Sequence, residues 1–105
     1  MSDREMLELA AKAAGFQNYT IRGDTVYVKT GTARVDSGYY WNPLTDDGDA
    51  LRLAVRLKIT PHIDGNLTDA ESPKSFCTEP HFDDPYAATR RAIVRAAAEI
   101  GRNMA

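Results

Sequence analysis

Hydrophobic positions recur at helical spacing in three stretches and alternate at strand spacing in others. In "MSDREMLELAAKAAG", Met6, Leu7, Ala10, Ala11 and Ala14 form one stripe, and Arg4, Glu5, Glu8 and Lys12 fall largely outside it. Ser2 or Asp3 is placed to cap this helix, and Gly15 to stop it. "NYTIR" and "TVYVK" then flank Gly23-Asp24, a two-residue turn compatible with a type I′ or II′ hairpin. Pairing outward sets Arg22 against Thr25, Ile21 against Val26, Thr20 against Tyr27 and Tyr19 against Val28. Tyr19, Ile21, Val26 and Val28 then share one face, and Thr20, Arg22, Thr25, Tyr27 and Lys29 the other.

Residues 30–38 read as a polar connector, and "YYW" extends the sheet briefly or crosses it. A second helix follows, with Leu44, Leu51, Ala54, Val55 and Lys58 along one side, broadened by Ala50, Leu53 and Leu57. A face that wide predicts a well-buried helix. "ITPHID" alternates Ile59 and Ile63 with Thr60, His62 and Asp64, and Pro61 marks it as an edge or broken strand. "GNLTDAESPKS" reads as a hydrophilic, mobile loop, and "FCTEPHF" as a last short strand. Asp84 followed by Pro85 starts a closing helix, with Tyr86, Thr89, Ile93, Ala96 or Ala97, Ile100 and Met104 on its buried side. The pattern predicts one α+β domain over 1–105, without internal repeat. In it, an antiparallel or mixed sheet of three to four strands is layered with three helices in the order α-β-β-α-β-(β)-α.

"WNPLTDDGDALRLAVRL" and "ATRRAIVRAAAEIG", with the short N-terminal helix, resemble a family of small phage and prophage proteins built on the phage ABA-sandwich domain, a sheet layered between helices. The resemblance covers roughly the whole chain. It implies phage origin and architecture rather than chemistry. A sandwich covers both sheet faces, yet the hairpin's second face is polar and basic. Either that face packs through Tyr27 and aliphatic stems, or it is open and a candidate binding surface.

The candidate chemistry is sparse. Asp46, Asp47 and Asp49 around Gly48 suggest calcium, but the spacing departs from the twelve-residue calcium loop; capping by Thr45 or a neighbouring aspartate needs less. Tyr39, Tyr40 and Trp41 suit a stacking platform or a protein hot spot. The plainer reading packs Trp41 over the second helix, with one tyrosine inward and one outward. Cys77 and His81, with His62 and Asp83 or Asp84, contain a thiol–imidazole pair in composition only. On a strand, residues four apart lie about 13 Å from each other, so neither catalysis nor a metal site is expected. Arg90, Arg91, Arg95 and Arg102 make the outer side of the last helix basic and open a nucleic-acid reading, against which stands a solvated face with an Arg95–Glu99 pair. The alanines of the first and last helices permit close packing within the chain or between two copies.

Composition narrows the partners. The 105 residues carry a net charge of −2, which excludes binding to DNA by bulk electrostatics alone. A single cysteine cannot form an internal disulfide. No secretory signal or membrane-spanning run is evident, so an intracellular location is expected, and the phage resemblance implies the cytoplasm of a bacterial host. The expectation is a non-enzymatic phage or prophage accessory protein, without metal or cofactor. It would act on a host or phage protein, with homo-oligomer formation open. The alternative is a nucleic-acid-associated module using the last helix. Tyr39, Tyr40, Trp41, Arg90, Arg91 and Arg95 are the candidate interaction residues.

Overall fold

The computed structural model describes residues 1–31 and 37–104. Its elements are α1 (Asp3–Ala13), β1 (Tyr19–Arg22), β2 (Thr25–Lys29), β3 (Gly38–Trp41), α2 (Asp47–Leu57), β4 (Thr60–Ile63), β5 (Leu67–Ser72), β6 (Ser75–Pro80) and α3 (Pro85–Arg102). The fold is α+β with three helices, as the periodicity indicates. The strands form two separate antiparallel sheets of three, ordered β1-β2-β3 and β4-β5-β6. The chain thus runs twice through a helix of 11 residues and a three-stranded meander before it closes with α3.

Local chemistry sets the boundaries. The Ser2 hydroxyl accepts from the Glu5 N–H at 3.2 Å, and Gly15 takes φ 85° beyond the end of α1. The first hairpin has the register derived from alternation, Ile21 opposite Val26 and Tyr19 opposite Val28. Gly23 has φ 64° and Asp24 does not have positive φ, the signature of a type II′ turn. Asp84 caps α3 through the Ala87 N–H at 3.0 Å, with Pro85 at its start.

The core is built around α3. It packs on α1, on α2 and on all three strands of the second sheet, and α1 in turn packs on β2. Ala10 and Ala11 of α1, Ala14 at its C-cap, and Ala92, Ala96, Ala97, Ala98 and Gly101 of α3 are buried. A β-carbon at Gly101 would run into the backbone of Leu9. The alanine stripes therefore serve close packing of helices within one chain. Val26, Val28 and Trp41 carry the core onto the inner face of the first sheet, where Trp41 meets Phe16 edge-to-face at 5.0 Å. The resemblance implies a single sheet between helices; here, among the described residues, each sheet has helices on one face only, and the outer positions Arg22, Lys29, Tyr40, His62, Glu71 and Thr78 are exposed.

Three local readings change and one open alternative closes. "YYW" extends the first sheet rather than crossing it, as a third strand paired with β2 so that Val26 lies opposite Trp41. "LTDAES", read as a mobile loop, is the central strand of the second sheet. Its inward residues are Thr68 and Ala70, small because α3 presses directly on them, so it lacks the apolar alternation of an ordinary half-buried strand. In α2 the buried stripe is Ala50, Leu53 and Ala54, while Leu51 and Val55 are 63% and 71% exposed. Tyr86 in the first turn of α3 and Met104 just past its end are exposed at 70% and 41%, because the helix is held by its alanines, Val94 and Ile93 rather than by its ends. The polar connector falls largely on residues 32–36, outside the described residues.

Candidate functional site

The acidic cluster before α2 is occupied by local structure. The Asp46 carboxylate accepts the Asp49 N–H at 2.8 Å and so caps the helix. Asp49 accepts the Asn42 N–H at 2.9 Å and pairs with Arg52 at 2.8 Å. Asp47 pairs with Arg90 at 2.7 Å. All three carboxylates lie at the positive end of the α2 dipole.

The aromatic triplet divides across β3. Trp41 is buried, with 4% exposure. Tyr39 shares its side of the strand and lines a cleft with Phe16, Arg52 and Arg56, while Tyr40 projects from the opposite face. The two tyrosines therefore divide as alternation suggests, Tyr39 on the inner side opposite the buried Val28 and Tyr40 on the outer side opposite Tyr27, although the inner side is open at Tyr39 and both rings are exposed.

The candidate arginines of α3 each meet a carboxylate. Arg90 also donates to the Leu44 carbonyl at 2.9 Å and is largely covered. Arg91 reaches Asp3 at 3.0 Å and Glu79 at 3.7 Å. Arg95 meets Glu79 at 2.6 Å, which raises the arginine pKa, and donates to the Thr78 carbonyl at 3.1 Å. Glu99, the partner that helical spacing assigned to Arg95, pairs with Arg102 at 3.5 Å instead. These arginines tie α3 to α1, the α2 cap and β6.

His62, Cys77 and His81 do not converge. The register places Cys77 opposite Ala70 on the covered face of the second sheet, and His62 opposite Asp69 on the outer face. Burial pushes the Cys77 thiol up, away from the thiolate a nucleophile requires. His81 is buried, and its Nε2 lies 2.8 Å from the Thr68 hydroxyl, which is itself 2.8 Å from the Thr89 hydroxyl. This chain ties the end of the second sheet to the start of α3. Among the described residues, no group of three or more His, Cys, Asp or Glu side chains is placed to hold a metal ion.

A separate cleft is apolar. Leu51, Ile63 and Tyr86, each more than 60% exposed, flank a groove of about 490 Å³ between α2, β4 and α3, whose walls include Ala50, Pro61, Pro85 and Ile93. Val55 continues the ridge one turn along α2 from Leu51. The sequence signal was the width of the α2 apolar face. That face exceeds what the fold covers, and the surplus, Leu51 and Val55, stands outside the core. No described helix is long and apolar enough to cross a membrane, so this surface is not part of a spanning helix. No family model matches the chain, and neither the curated proteins nor the solved structures contain a match.

Proposed function

We propose that this chain is a non-enzymatic accessory protein that works by binding protein through the groove between α2, β4 and α3, with a second copy as the groove's occupant. The observation that carries the reading is the exposure of Leu51, Val55, Ile63 and Tyr86 around one apolar depression. Contiguous apolar surface of this kind marks interaction sites. The groove and the side chains that project beside it lie on one face, so two copies related by a two-fold axis can each insert Leu51 and Tyr86 into the other. Pro61 blunts the free edge of β4 against strand pairing, which leaves side-chain packing as the mode of contact.

The resemblance of "WNPLTDDGDALRLAVRL" to phage proteins supports a phage or prophage origin, action in the cytoplasm of a bacterial host, and a host or phage protein as the target of the assembled dimer. Amide exchange tests the groove directly. Exchange in β4, in α2 from Ala50 to Val55 and in the first turns of α3 should slow as protein concentration rises, and should not do so in a Leu51→Glu variant. Exchange independent of concentration in the unaltered chain would sink the reading.

A further inference from the structure

The outer face of the first sheet carries a different surface. The register sets Arg22 beside Thr25, Tyr27 between Thr20 and Tyr40, and Lys29 beside Gly38. Alternation turns these side chains away from Val26, Val28 and Trp41, which are buried. Acids outnumber bases 15 to 13 in the chain, yet none of these strand positions holds a carboxylate. The nearest acid in sequence among the described residues is Asp24, in the turn.

The aromatics of this face are held in place. The Arg22 guanidinium lies 4.1 Å over the Tyr27 ring centroid and donates to the Tyr40 hydroxyl at 3.4 Å. The two tyrosine rings meet edge-to-face at 5.1 Å. Gly38 makes room for this: a β-carbon there would stand 2.9 Å from the Tyr27 ring and run into the Val28 carbonyl. Tyr27 is thereby a fixed base for Tyr40, which is 60% exposed.

We propose that this sheet face binds single-stranded nucleic acid, a base stacking with Tyr40 while Arg22 and Lys29 meet phosphates. Stacking on an exposed aromatic requires an unpaired base, and flanking cations match the charge of the backbone. A protein hot spot of the usual kind would add apolar side chains, and this face has none beyond the tyrosine rings. The α3 arginines, each beside a carboxylate, are less suited to the same task.

Fluorescence anisotropy of a labelled twelve-nucleotide oligothymidylate tests it on the full chain at low salt. Binding is expected, and replacing Tyr40 by alanine should weaken it about ten-fold or more. Tyr40→Phe, which keeps the ring, should bind nearly as the unaltered chain does. Two phosphate contacts imply about seven-fold weaker binding between roughly 50 and 200 mM salt. Arg91→Gln and Leu51→Glu should leave affinity unchanged, the latter separating this face from the groove. Absence of binding at low salt, equal affinity for a duplex of the same length, equal losses for Tyr40→Phe and Tyr40→Ala, or loss on Arg91→Gln but not Tyr40→Ala would each overturn the proposal.

Discussion

Single residues decide several of the joints in this structure. Thr68 is fully buried and its hydroxyl touches both His81 and Thr89. Thr68→Val keeps the shape and removes that hydroxyl, leaving the His81 imidazole without its partner. An unsatisfied buried group costs about 1–3 kcal/mol, so the urea midpoint should fall accordingly; an unchanged midpoint would show that the hydroxyl chain is dispensable. Lys58 is the opposite case. It closes α2 with φ 58°, a left-handed conformation that favours glycine, and its N–H lies toward the Ala54 and Val55 carbonyls. Lys58→Gly should therefore stabilise the fold by roughly 0.5–1 kcal/mol, read as a higher thermal midpoint. Cys77 is a covered thiol whose folded pKa lies above its unfolded value near 9.0. The folded state keeps that proton longer, so the stability linked to Cys77 is complete below the unfolded pKa and declines as pH rises beyond it.

The contact between α1 and α3 depends on the absence of a side chain at Gly101, since a β-carbon there collides with Leu9 backbone rather than with a movable tip. Gly101→Ala should cost about 1–3 kcal/mol through overpacking, despite alanine's better helix propensity, and denaturant unfolding would measure it. A neutral or stabilising effect would mean that the two helices slide apart without penalty. What could be read from sequence follows the same logic of elements. The first hairpin was fully legible, because Tyr19, Ile21, Val26 and Val28 alternate with polar residues and the turn is short. The caps of α1 and α3 were legible from Ser2, Asp84 and Pro85. Strand β5 was not, because Thr68 and Ala70 face a helix too close to admit larger residues, and Asp69 and Glu71 on its outer face are acidic. Its boundaries were nonetheless marked. The Asp64 carboxylate accepts the Asn66 and Leu67 N–H groups at 2.9 and 3.0 Å, which lowers its pKa, and Pro73-Lys74 turns the chain into β6.

For the whole molecule, one repeated architecture leaves two dissimilar surfaces. Each meander lays one face on the helical layer and turns the other outward, so half of each sheet is free for display. The arginines of α3 hold this assembly together as ion pairs rather than forming a free basic face. The surplus apolar stripe of α2 meets β4 and the start of α3 at a groove that no described residue covers. The candidate residues chosen from sequence thus separate by role: Trp41 in the core, Arg90, Arg91 and Arg95 in internal pairs, Tyr39 and Tyr40 on opposite faces of β3. The groove residues Leu51, Val55, Ile63 and Tyr86 were visible only as hydrophobic letters, because nothing in one sequence says which of two adjacent apolar stripes a helix will bury. Light scattering across a concentration series measures whether the exposed stripe is used. The unaltered chain should approach twice its 11.6 kDa mass as concentration rises, and Leu51→Glu should remain at the single-chain value. An unaltered chain that holds the single-chain mass at every concentration would contradict self-association through the groove.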